Sequence, residues 1–188
     1  PQVVEDQVTY PLSTAMLSAA KAEDIKVGIL LPYSGVYAAL GQDIDDAFAL
    51  GLETFGADSG ATFEIVREDT EVKPPVGLAK TKKLILQDEV DVMVGVVSSG
   101  VLGAIRDTVD GAGVPLIVAN AGNDEATGEA CSPFITRISF SNSQINRPMG
   151  QWMFDRGVKK VFTIAPDYAA GRQMIDAFTT AFTAAGGE

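Results

Sequence analysis

From Ile25 onward the apolar residues alternate between two arrangements, short β-branched runs that are nearly continuous and stripes spaced by three or four residues. The first is the pattern of a strand buried on both faces of a parallel sheet, and the second that of a helix with one face on a core. Ile25-Lys-Val-Gly-Ile-Leu-Leu31 predicts the first strand, and Gly41 to Gly56 a helix with Ile44, Phe48 and Leu52 on one side. Asp43, Asp45 and Asp46 fall in the expected first turn of that helix, where the dipole favours negative charge. The pattern continues with a strand Thr62–Val66, a helix Val76–Asp88, a strand Val90–Val97, a helix Val101–Val109, a strand Val114–Ala119 and a short strand Phe134–Ile138. Such alternation specifies an α/β fold, an open doubly wound parallel sheet with right-handed crossovers. Ligands of these sheets bind outside the carboxyl ends of the strands, where the strand order reverses. The loops Pro32–Gly41, Ser98–Gly100 and Asn120–Thr127 are therefore the expected site.

After Ile138 the character changes. Ser139-Phe-Ser-Asn-Ser-Gln144 is a polar connector, followed by a helix Asn146–Arg156, an apolar strand Lys159–Ile164 and a helix Ala169–Ala185. A fresh strand and helix after a polar crossover predict the start of a second α/β lobe, with the boundary near residues 139–145. The expected organisation is a leader or signal-peptide remnant over 1–22, an N-terminal α/β lobe over 23–141 and the start of a second lobe over 142–188. The leader ends in Ala20-Lys21-Ala22, the A-x-A form of a secretory cleavage site, although Glu5 and Asp6 stand where a positive start is usual.

Composition narrows the chemistry. The 188 residues contain no histidine and one cysteine, with 14 Lys+Arg against 25 Asp+Glu for a net charge of −11. No histidine means no Ser-His-Asp triad, no Cys-His pair and no histidine metal site, and a lone cysteine forms no internal disulfide. Phosphate neutralisation needs a basic surface, so the acidic balance argues against nucleic acid. No apolar run reaches the length needed to span a bilayer.

Motifs for nucleotides are lacking too: neither G-x-G-x-x-G nor G-x-x-x-x-G-K-[ST] occurs. Gly95-Val-Val-Ser-Ser-Gly100 has no nucleophile-elbow spacing and no histidine to activate a serine. Its position carries more meaning. Ser98 and Ser99 put two hydroxyls and unpaired backbone N–H groups where a buried strand turns into a helix, an arrangement that binds an anion. A plain helix cap is the other reading of the same serines. Asp69 and Asp167 stand near strand ends, where lone carboxylates usually cap loops. Tyr168, just before the last helix, either packs at the helix start or points into an interlobe cleft. Cys131 reads as a buried hydrophobe or as half of a pair with sequence outside this chain.

Several of these stretches together resemble a known family. They are Lys26-Val-Gly-Ile-Leu-Leu-Pro-Tyr-Ser-Gly35 with Leu40-Gly41, Glu68-Asp-Thr70 with Pro74, Leu84 to Gly95 followed by Ser98-Ser99, Cys131-Ser-Pro-Phe-Ile-Thr-Arg137, and Asp167-Tyr-Ala-Ala-Gly-Arg172. In order and spacing the chain from Ile25 to Glu188 resembles the type I periplasmic solute-binding proteins, specifically the branched-chain amino-acid (Leu/Ile/Val) binding family of ABC-transporter receptors. The resemblance implies an exported, periplasmic, two-lobed clamshell, monomeric at full length. It closes on a small carboxylate such as a branched-chain amino acid and hands it to an inner-membrane ABC permease, with no catalysis, no cofactor and no metal.

The resemblance also maps the ligand site onto Tyr33 and Ser34 after the first strand, Ser98 and Ser99 after the third, Ala119, Asn120 and Ala121 after the fourth, and Tyr168 from the second lobe. Asn120-Ala121-Gly122-Asn123 departs from the family's small-residue and threonine pattern, which leaves room for aromatic or other organic acids. A ligand-sensor domain of a receptor or regulator is the alternative from another class.

Overall fold

The computed structural model describes residues 24–188, and the leader expected over 1–22 lies outside them. Five strands form one parallel sheet in the order β2-β1-β3-β4-β5: β1 Asp24–Leu31, β2 Thr62–Asp69, β3 Val92–Gly95, β4 Leu116–Val118 and β5 Ile135–Arg137. β1 pairs with β2 along its whole length, from Asp24 opposite Thr62 to Leu31 opposite Asp69. The order reverses at β1, so the crevice opens beyond the carboxyl ends of β1 and β3.

Successive side chains of a strand point to opposite faces, and the core divides accordingly. Val27, Ile29 and Leu31 pack on one face with Ile44 and Phe48 of helix α1 (Ala38–Gly51). Leu30 and Met93 pack on the other with Leu84 of α2 (Pro74–Leu86) and Leu102, Ile105 and Val109 of α3 (Ser99–Ala112). Each such side chain, fully buried, contributes roughly 1.5–3 kcal/mol. Helices on both faces make the sheet doubly wound, as its apolar pattern predicts.

Helix α1 and the run Lys159–Ile164 depart from expectation. Helix α1 begins at Ala38, three residues before the predicted start, and continues beyond Gly51 as a wider turn over Leu52–Gly56. Asp43, Asp45 and Asp46 are therefore not in the first turn, and of the three it is Asp45 that is buried. It lies mid-helix, 5% exposed, with Oδ2 accepting hydrogen bonds from Arg67 Nε at 2.7 Å and Tyr33 OH at 3.1 Å. The run Lys159–Ile164 is not a sheet strand. It carries no regular secondary structure, bonds to Glu188 through Val161 N–H to Glu188 O and Glu188 N–H to Lys159 O, and leaves Phe162 91% exposed. A strand needs a neighbouring strand, and among the described residues these two bonds to Glu188 are the pairing it has.

Beyond the sheet, α4 (Asn142–Asp155) and α5 (Ala169–Ala184) pack closely enough that a Cβ on Gly150 would lie 2.5 Å from the carbonyl oxygen of Phe178. Helix α4 starts four residues earlier than predicted because Ser141 and Gln144 form a reciprocal capping box. Asp69 caps the loop after β1 and β2, accepting the N–H groups of Tyr33 at 2.9 Å and Glu71 at 2.8 Å. Burial works to raise its carboxyl, but the Ser34 hydroxyl and these N–H groups outweigh burial and hold it below the ordinary carboxylate range. The stabilisation this gives is present above the ordinary carboxylate pKa and fades as pH falls through the lowered one. Cys131 is exposed, which removes the buried-hydrophobe reading.

Candidate functional site

At the end of β3 the backbone takes an unusual course. Gly95 has φ of 133° and Val96 φ of 66°, and the Val96 N–H donates to the carbonyl of Leu30 at 2.8 Å. A β-branched residue in the left-handed region is strained by about 1–3 kcal/mol and persists only where surrounding contacts fix it. The turn delivers Val97, Ser98 and Ser99 to the crevice. Ser98 occupies the N-cap position of α3, yet its side chain makes no capping hydrogen bond, so the cap reading does not account for it.

A cavity of about 170 Å3 opens at this point, lined by Tyr37, Leu40, Val97, Ser99, Asn120, Gly122, Phe140, Asn142, Tyr168, Ala170 and Met174. It joins the first-strand loop, the ends of β3 and β4, the connector and the start of α5. Tyr37 OH and Tyr168 OH are 3.3 Å apart, so residues from opposite sides of the crevice meet at its rim. Burial first, and the Tyr37 phenol second, push the Tyr168 hydroxyl up to about 12, and either phenol can donate to the other.

Ser99, 3% exposed, is tied into a buried amide network. Asn142 Nδ2 donates to Ser99 Oγ at 3.1 Å and to Gln173 Oε1 at 2.7 Å, and the Asp124 N–H donates to that same Gln173 oxygen at 3.1 Å. Asn123 donates to the carbonyl of Ser99 at 3.2 Å and accepts from the N–H of Glu125 at 2.9 Å, so its amide braces the loop and faces away from the cavity. Gly122 carries Asn142 directly against its backbone: a Cβ there would lie 2.4 Å from Asn142 Oδ1.

Of the residues expected at the site, Ser99, Asn120 and Tyr168 line this cavity together. Tyr33, Ser34, Ser98, Ala119 and Ala121 are not among its lining residues. Tyr33 turns its hydroxyl to Asp45, and burial followed by that carboxylate raises its phenol above the ordinary value. Ser34 is exposed beside Asp69. The N–H groups of Ala119 and Ala121 already donate to the carbonyls of Gly95 and Val96, both at 2.9 Å. Sequence reasoning missed Tyr37, Phe140, Asn142, Met174 and Gln173. The S-x-x-Q capping signature at Ser141–Gln144 is the one signal that would have placed Asn142 at a helix start.

A larger open groove, about 470 Å3, runs past Asp124, Glu125, Glu129 and Arg137. Three carboxylates against one guanidinium make it unfavourable for an anion. The guanidinium is also engaged, donating to the Asn123 carbonyl at 2.6 Å and to the Thr127 hydroxyl.

Comparison with known proteins agrees with this geometry. A periplasmic binding protein family model matches residues 24–188. The Leu/Ile/Val-binding protein homolog 6 of Brucella abortus is 32% identical over 177 residues, 91% of this chain and 44% of its own. A solute-binding protein of an ABC transporter from R. palustris, solved in complex with benzoate, superposes with a TM-score of 0.83 at 42% identity over 88% of this chain and 46% of its own. Another, from Rhodopseudomonas palustris BisB5 with 3,4-dihydroxybenzoic acid, gives 0.80 at 34% identity over 89% of this chain and 46% of its own. The chain thus spans about half the length of the relatives it matches. By its parallel sheet, its crevice at the strand-order reversal and this match over residues 24–188, the chain belongs to the periplasmic binding protein family, among the type I solute-binding proteins of ABC transporters.

Proposed function

We propose that this chain forms the first lobe and the beginning of the second lobe of an exported receptor that captures a small aromatic carboxylate and delivers it to an ABC permease. The observation that carries the reading is the cavity. About 170 Å3 bounded by Tyr37, Phe140, Tyr168, Leu40 and Met174, with Ser99 at one wall, suits one aromatic ring bearing one anionic group. A dry apolar cavity of about 150 Å3 already holds benzene. The carboxylate end is matched by the Ser99 hydroxyl and the unpaired N–H groups in the first turn of α3. The aromatic ligands of the two R. palustris proteins have this chemistry.

A branched-chain amino acid is the second reading, favoured by the name of the Brucella relative. Its ammonium group requires a carboxylate, and the cavity lining contributes none among the described residues. The receptor binds and releases its ligand without chemistry, outside the cytoplasmic membrane.

Ser99→Ala in the full-length protein is expected to weaken benzoate by about 10- to 100-fold, the loss of a hydrogen bond to a charged group. Calorimetric titration measures it, and an affinity unchanged from wild type would remove Ser99 from the carboxylate site.

A further inference from the structure

We infer that Asn142 and Gln173 act as positioning residues that fix the polarity of the Ser99 hydroxyl, turning its proton toward the ligand so that the site selects an anionic oxygen. The inference rests on the proposed carboxylate site and explains its preference for that charge.

The direction of each bond follows from one fixed donor. The Asp124 backbone N–H can only donate, so the Gln173 atom 3.1 Å away is the amide oxygen. That oxygen, 2.7 Å from the Asn142 side chain, obliges Asn142 to present its NH2 group. The same nitrogen lies 3.1 Å from Ser99 Oγ, which must therefore accept. A serine hydroxyl that accepts from an amide keeps its own proton to give. Among the described residues no protein acceptor takes that proton, and Ser99 lines the cavity.

The chain of donors starts at a backbone group that cannot reverse, and it crosses from the loop after β4 through α5 and α4 to α3. Asn142 is 1% exposed, so water does not compete for these bonds. A carboxylate, which only accepts, satisfies the waiting Ser99 proton. An amide NH2 or an ammonium brought to the same place can use only the remaining lone pair of the hydroxyl and leaves its proton unpartnered.

Two substitutions separate this orientation effect from plain charge, since neither Gln173 nor the changed group lines the cavity. Gln173→Glu keeps an acceptor where both partners donate, so benzoate affinity of the full-length protein is expected to stay within about threefold of wild type although a negative charge is added. Gln173→Lys puts a donor against two donors and turns the Asn142 amide so that its oxygen takes the Ser99 proton. Benzoate is then expected to weaken by at least about tenfold although a positive charge is added.

Charge alone predicts the opposite order, and that order overturns the inference. So does equal weakening in both variants, which would make Gln173 a merely structural residue, or no change in either. Thermal melts of each variant confirm that it is folded. If Gln173→Lys fails to fold, Gln173→Glu decides: retention within threefold supports the inference and tenfold loss overturns it. The wild-type titration is read first, and a wild-type protein without affinity for benzoate or a hydroxybenzoate sinks the proposed function and this inference with it.

Discussion

Gly95→Ala is expected to destabilise the protein by about 2–6 kcal/mol, a large share of the roughly 5–15 kcal/mol that holds a typical domain folded. Two costs add. The backbone at φ of 133° is open to glycine but strained for any residue with a Cβ, about 1–3 kcal/mol. The new methyl would also lie 2.4 Å from the carbonyl oxygen of Leu30, inside the β1–β3 pair, and overpacking against backbone costs about 1–3 kcal/mol more. Gly111→Ala is the control. Gly111 is an exposed residue of α3 whose added Cβ meets nothing within 4 Å, and alanine there is expected to stabilise by about 0.5–1 kcal/mol. Urea unfolding of the two variants against wild type reads both. A Gly95→Ala midpoint equal to that of Gly111→Ala would show that the β3 turn is not under the described constraint. The same turn aims Ser99, so surviving Gly95→Ala protein is expected to bind ligand poorly.

The next largest effect belongs to Arg67→Met. Asp45 is buried in α1 with Oδ1 lacking any hydrogen-bond partner, so its charge is compensated only through Oδ2, by Arg67 and Tyr33. Breaking a wholly buried pair costs about 3–5 kcal/mol because the surviving charge is stranded. The Arg67 side chain is 45% exposed and shares its charge with water, so the loss here is expected near 2–3 kcal/mol. Converting both partners to apolar residues, Asp45→Leu with Arg67→Met, is expected to restore most of it, since no charge is left stranded. A double-mutant cycle in urea gives the coupling directly. If the double variant is as unstable as the sum of the singles, packing rather than charge holds α1 to β2.

These residues also mark how far the sequence is legible. The buried strands announce themselves through β-branched runs such as Ile25–Leu31 and Val90–Val97, and parallel pairing follows from their alternation with helices. The placement of Ser98-Ser99 at a turn from a buried strand into a helix is visible from position alone. Asp45 is misread because a helix start three residues earlier moves it from the dipole's positive end into the interior, and α1 carries no side-chain cap to mark that start. Lys159–Ile164 has the composition of a buried strand, but composition does not supply a neighbouring strand, and the segment stays outside the sheet with Ile164 89% exposed. The amide network is the least legible part. Ser99, Asn142 and Gln173 are separated by 43 and 31 residues, and neutral amides carry no periodicity or charge signal that would join them.

In the proposed function the crevice at the β1–β3 switch point recognises one aromatic ring and one carboxylate. Equilibrium dialysis of the full-length protein with benzoate and with leucine tests it most directly. Saturable binding of benzoate or a hydroxybenzoate at one site, undiminished by excess leucine, is the expected result. Saturable leucine binding with no retention of the aromatic acids would contradict it.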